Sequence, residues 1–238
     1  MNILREIKAK YLLNGTYFRV CTGATISIGK NVKIHNSRII VTPNSTLKIE
    51  DNVSIENVVI SVVNGEMIIG DYCILGGKKD NHLFNIESGA INIGHHSKIS
   101  AARFWVRWGG IVSVGCYTNI NSGSEIRCDK CVNIGDYNQI SYNVRIWDTN
   151  THTILSKEER RRTTEKYYPY YGYEEICPKT QKVEIGSDCW IGEDASILKG
   201  TTIEDEVIVG YKCLLSRQVI PTKSTVVSKA VLDIRRRN

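Results

Sequence analysis

The opening stretch of this chain lacks an uninterrupted apolar run. Between Met1 and Asn14 the charged residues Arg5, Glu6, Lys8 and Lys10 break every candidate segment, so neither an export signal nor a membrane span is read there, and the expected location is cytoplasmic. Apolar Ile3, Leu4, Ile7, Tyr11 and Leu12 instead have the spacing of a short amphipathic helix that would cap one end of a core. A dense stripe of one charge sign is also missing. The net charge of +6 is spread over a chain with 25 acidic residues. That excludes the dense basic stripe of a nucleic-acid binder and suits an anionic small molecule or a polysaccharide. The lone Cys128-x-x-Cys131 has no second pair at zinc-site spacing, so no metal is expected. Without an export signal the eight cysteines are not read as a disulfide framework. No composition shift divides the 238 residues into separate globular units.

What the chain does contain is a repeat. Isoleucine or valine followed by glycine or an acid recurs at Ile28-Gly29, Ile49-Glu50, Ile69-Gly70, Ile93-Gly94, Val114-Gly115, Ile134-Gly135, Ile185-Gly186, Ile191-Gly192, Ile203-Glu204 and Val209-Gly210. Within the array, apolar residues step by six, as in Ile28, Ile34, Ile40 and in Ile185, Ile191, Ile197, Ile203, Val209. Four residues after each step comes a small or β-branched side chain, for example Val32, Ser97, Thr118, Val144, Ala195 or Val207. Two inward side chains per hexad describe a short strand followed by a tight turn. Three such strands make a coil, and coils stack by parallel hydrogen bonding. Cys73, Cys189 and Cys213 fall at the small inward position, where sulfur is a compact apolar filler.

One step is far longer than a coil. From Ile134 to Ile185 the surplus falls mainly between His152 and Lys182 and reads as an extruded loop. It has a capping-box spacing from Ser156 to Glu159, then Arg160, Arg161, Arg162 and five tyrosines from Tyr167 to Tyr173. Such a loop is expected to lie against a neighbouring subunit or over a substrate. The organisation is therefore an N-terminal segment over 1–20, a β-helix domain over 21–220 with its loop at 153–182, and a basic tail over 221–238. Trp105 and Trp108, in Phe104-Trp105-Val106-Arg107-Trp108, break the hexad frame and mark a coil edge, a subunit contact or a sugar-stacking platform. His35, His95 and His96 fall at turns and His82 in an irregular segment, where solvated surface roles are expected. His152 differs. It stands where a regular coil gives way to the loop, so a rigid scaffold would hold it facing a cleft.

Two segments carry a family resemblance. Ile146-x-Asp148-x-x-x-His152-x-Ile154 looks like the segment bearing the catalytic histidine of the hexapeptide-repeat acyltransferases. Val183-x-Ile185-Gly186-x-x-Cys189-Trp190-Ile191-Gly192, continuing through Ile203, is similar to that family's Trp-Ile-Gly coil. The chain resembles the sugar O-acetyltransferase branch over most of Ile28 to Leu214. The resemblance implies an all-β, left-handed parallel β-helix, a homotrimer with active sites between subunits, acetyl-CoA as cosubstrate and a saccharide acceptor. The usual rule for parallel crossovers favours the opposite hand, so the hand comes from the resemblance alone.

In chemical terms, the resemblance implies that neutral His152 takes the proton of an acceptor hydroxyl, which is a poor nucleophile unaided. Asp148 could orient that ring or bind the sugar. Trp190, with Asn143 and Trp147, is read as lining the acceptor pocket. Coenzyme A is expected along the C-terminal coils, past Gly192 and Gly210, with phosphates near Lys199, Lys212 or Arg217. Two departures stand out. Gly210-Tyr211-Lys212-Cys213 replaces the family's Gly-x-Gly-Ser turn, and Ser224 to Val231 has no Gly-Asn-Pro-Ala-Lys counterpart. The leading reading is O-acetylation of a surface polysaccharide (capsule or lipopolysaccharide) or its precursor. N-acetylation of a nucleotide-linked amino sugar and an inactive β-helix scaffold are the alternatives.

Overall fold

The computed structural model describes residues 14–77 and 82–229. The helix expected around Ile3 to Leu12 and the Arg235 to Arg237 end of the tail lie outside the described residues. Among the described residues three parallel sheets of nine strands each run side by side, and every third strand in sequence pairs with the next. The first sheet runs from Tyr17–Val20 to Leu214–Ser216, the second from Thr25–Ile28 to Val219–Ile220, the third from Lys33–His35 to Thr225–Val226. Pairing begins at Tyr17 and ends at Val226, so the coils extend a little beyond the 21–220 span read from the sequence. No described helix is long and apolar enough to cross a membrane.

The hexad explains the core. In the last coils Ile185, Cys189, Ile191, Ala195, Ile197, Thr201, Ile203, Val207, Val209, Cys213 and Leu215 are all buried, alternating large strand residues with small corner residues. Burial in both sheet and corner lets identical side chains stack: Phe84 lies on Phe104 with centroids 4.9 Å apart. The loop leaves this register undisturbed, because Ile134, Ile140 and Ile146 pair directly with Ile185, Ile191 and Ile197 across it.

Three expectations are corrected. Ile39 and Val41 point inward and Ile40 outward, because the turn at Asn36 (φ 45°) and Ser37 shifts the next strand by one residue. His82 is buried at the start of strand His82–Ile86, its Nδ1 2.9 Å from the Ala101 carbonyl oxygen. Trp105 keeps the frame: Phe104 and Val106 fill the core, and Trp105 faces outward between them.

Candidate functional site

The loop leaves the corner between the first and second sheets after strand Arg145–Trp147 and returns at Val183–Ile185. Its neck is closed by an antiparallel bridge between Thr149 and Thr180. The Asp148 carbonyl accepts from Thr180 Oγ1 (2.6 Å) and from the Gln181 amide (2.8 Å), and the Asn150 amide donates to the Lys179 carbonyl at 3.1 Å. His152 follows immediately, so its backbone is set by the coil below.

Thr151 carries most of that setting, in the left-handed region at φ 68°. Its amide donates to Thr149 Oγ1, its carbonyl accepts from Arg107 Nη2 at 3.1 Å, and its hydroxyl accepts from Arg127 Nη1 at 3.3 Å. Arg107 is buried and forked onto Asp129 at 2.9 and 2.8 Å, and Thr149 Oγ1 donates to the same carboxylate at 2.6 Å. A bidentate buried pair of this kind fixes geometry as well as charge.

The other half of the site comes from the loop. Ser156 caps helix α1 (Lys157–Tyr167) through the reciprocal box with Glu159 that the sequence spacing predicted. The returning chain is fastened to this helix by Tyr173 stacked on Tyr167 at 3.9 Å, and by Glu175, which accepts from Lys166 Nζ at 2.6 Å and Tyr167 Oη at 2.8 Å. The Lys166 bond holds the Glu175 carboxyl below its ordinary range, and Lys166 is raised in return. That fastening aims Glu174 back at the neck. Glu174 Oε1 lies 2.7 Å from His152 Nδ1, and Oε2 accepts from the Thr153 amide at 3.0 Å.

With Nδ1 facing a carboxylate, the ring is held as the Nδ1–H tautomer and Nε2 keeps its lone pair. The His152 side chain is 60 % exposed, whereas that of Glu174 is 10 % exposed. His152, Thr153, Leu155, Arg160, Thr164 and Tyr173 are among the residues around one cleft. The arrangement can accept a proton from a bound molecule and stabilise the resulting charge. Glu174 was missed in the sequence because it meets His152 only after the loop folds back.

Asp148, expected beside the ring, does different work. Its carboxylate accepts from the amides of Asp129 (2.8 Å), Lys130 (2.7 Å) and Cys131 (2.6 Å), capping the turn of the preceding coil. Burial pushes its carboxyl above the ordinary value, against the pull of those amides. Cys128 is buried beside it, its thiol raised by burial and then by the Asp148 charge, and its Sγ lies 3.3 Å from the Ile111 carbonyl oxygen.

The remaining expected residues separate into two groups. Lys199 and Arg217 share the loop's corner: Lys199 Nζ donates to Asn150 Oδ1 and Arg217 Nε to Gln181 Oε1. Partial burial, then the charges of Arg217 and Lys179, lower Lys199. Trp147 stands on the outer face of the first sheet with Arg127 over its ring at 4.2 Å, and its buried indole N–H has no acceptor among the described residues. The second group is elsewhere. Asn143, Gly192, Gly210 and Lys212 lie at the corner between the third and first sheets, and exposed Trp190 begins the third-sheet strand Trp190–Ile191. Asn143 is packed onto its own corner, where a Cβ on Gly123 (φ +75°) would lie 2.0 Å from Asn143 Oδ1. In a three-sided coil the third sheet is opposite the loop's corner, so one chain does not bring Trp190 to His152.

No family profile matches the chain, and no curated protein matches it in sequence. Among solved structures it is similar to the polySia specific acetyltransferase NeuO, with a TM-score of 0.55 and 18% identity, over 88% of this chain and 80% of that one. The polysialic acid O-acetyltransferase OatWY superposes more loosely, with a TM-score of 0.39 and 18% identity over 87% of this chain and 81% of that one. The likeness to the first, together with the three parallel sheets, makes the fold a left-handed parallel β-helix.

Proposed function

We propose that this chain transfers an acetyl group from acetyl-CoA to a sugar hydroxyl of a surface polysaccharide or its precursor. The observation that carries the reading is His152, oriented at Nδ1 by Glu174, its side chain exposed at the edge of a cleft. NeuO, whose fold this chain shares, is a polySia specific acetyltransferase, which favours a sugar as the acceptor.

His152 Nε2 takes the hydroxyl proton as the sugar oxygen bonds to the acyl carbon, and Glu174 steadies the imidazolium that forms. The C–S bond breaks as the C–O ester bond is made, and the proton passes from His152 to the leaving sulfur. Acetyl-CoA would supply the activated acyl thioester. Its phosphates suit the corner shared by Lys179, Lys199 and Arg217, where partial burial and then the charges of Arg217 and Lys179 lower Lys199, since an added anion would relieve the repulsive part.

The placement of Trp190 supports a homotrimer with sites between subunits, in which His152 of one copy meets the third sheet of the next. The loop offers a surface for such packing, with Ile154 87% and Tyr168 70% exposed. Acetyl-CoA use favours a cytoplasmic location.

The test is thiol release from acetyl-CoA with neutral, sialylated and amino-sugar acceptors, for wild type and His152→Ala of equal assembly state. Removing the base is expected to cost at least about a hundredfold. Activity that survives in the variant removes His152 as the base, and acetylation confined to amino groups changes the reaction to N-transfer.

A further inference from the structure

The cleft before His152 adjoins a second one. Tyr170, Gly172, Tyr173 and Glu174 border both, and beyond them opens a wider groove floored by Trp105, Arg107, Trp108 and Glu87. Its floor is tied to the base: Arg107, which lies over the Trp105 ring at 4.3 Å, also holds the Thr151 carbonyl, one residue before His152.

The floor is built for stacking. Trp108 is held in the left-handed region at φ 56°, where an indole is disfavoured, and is still 42% exposed. Gly109 beside it has no atom within 4 Å of where a Cβ would lie, so the corner is open. Trp105 is locked by its N–H donating to Glu87 Oε1 at 2.8 Å. The guanidinium groups of Arg107, Arg103 and Arg127 already stand over the Trp105 ring at 4.3, 5.4 and 5.6 Å, so the open indole face is that of Trp108, which can take the C–H face of a pyranose.

Charge decides which pyranose. The cations around the floor are paired: Arg107 with Asp129, and Arg103 and Arg127 with Glu125. The acids bordering the groove are Glu87 and Glu174. An anionic sugar would meet two carboxylates and cations already neutralised, whereas a neutral sugar could stack and donate hydroxyls to Glu87.

We infer that this groove is a second sugar subsite, taking an uncharged pyranose next to the residue acetylated at His152; the inference rests on the transferase reading for that neighbouring residue. The acceptor is therefore a chain of at least two sugars.

The test uses the full chain with neutral mono- to tetrasaccharides of glucose, galactose and N-acetylglucosamine, and sialic acid oligomers of matched length. Tryptophan fluorescence without acetyl-CoA reports binding, and thiol release reports transfer. A neutral oligomer is expected to bind about tenfold more tightly than its monomer, about 1.4 kcal/mol. Trp108→Gly, which suits the left-handed backbone, should abolish that chain-length advantage, while Tyr117→Phe on another edge keeps it.

Any of four results overturns the subsite: no binding across the panel, no chain-length advantage in wild type, an advantage that survives Trp108→Gly, or tighter binding of the sialic acid oligomers. Neutral-oligomer binding through Trp108 without thiol release would leave the subsite standing and remove the transferase reading. Thiol release indifferent to chain length and to Trp108 would do the reverse.

Discussion

Asp148 and Glu174 are both largely buried carboxylates at the neck of the loop, and their partners separate their work. Asp148 satisfies three backbone amides, so Asp148→Ala should lower stability by about 3 kcal/mol, measured as a urea midpoint. Its folded pKa is raised above 3.8, so its contribution is fully present below that value and is lost as pH rises through the raised pKa. The gap between wild type and variant should therefore narrow from acid toward neutral pH. Glu174→Gln behaves differently. The amide oxygen can still accept from His152 Nδ1 with loss of the Thr153 bond, so the fold should hold, while on the proposed reaction the missing charge beside the imidazolium should lower kcat about tenfold. A Glu174→Gln enzyme of unchanged kcat would take the carboxylate out of the chemistry.

Among elements, helix α1 shows why parts of the chain are legible and others are not. The Ser156–Glu159 box spans three residues, so its spacing announces the helix, just as hexad spacing announces the coils. The His152–Glu174 pair joins residues brought together only by the folded loop, and no local pattern marks it. Ile40 was misplaced by a single turn residue, since a shift of one exchanges inward for outward in a strand. At the corner between the second and third sheets, Asn31 and Asn52 adopt the left-handed conformation that asparagine tolerates. Tyr72, His96, Tyr117 and Tyr137 then take the same conformation in successive coils and stack at 4.8, 4.8 and 5.1 Å. Hexad spacing located His96 at a turn, but the stack exists only between coils. No residue of α1 is buried, so its order leans on its cap and on Glu175. Ser156→Ala should speed amide exchange in the helix about fivefold. Glu159 is held below its ordinary value by Ser156, so its support is present above pH 4.5 and fades as pH falls through the lowered pKa. Proteolysis at Arg160 to Arg162 should rise in the variant near neutral pH, and in wild type only in acid.

The whole molecule is a three-sided rod, and that shape divides the expected site. His152, Lys199 and Arg217 stand on one edge, whereas Trp190 stands on the sheet opposite. Side chains on opposite sides of a rod cannot act on one substrate in one chain, but a ring of three rods can set the edge of each against the sheet of the next. Complementation tests this directly. On the proposed trimer, His152→Ala and Trp190→Ala assemblies, each expected to be of low activity, would be mixed, dissociated and reassembled in equal amounts. A site joining the intact His152 of one copy to the intact Trp190 of the next should form in about a quarter of random pairings, restoring about a quarter of wild-type activity. Recovery requires that the two residues come from different copies. If hybrid trimers form and activity stays at the level of the separate variants, Trp190 lies outside the site, and the exposed face of the third sheet needs another use.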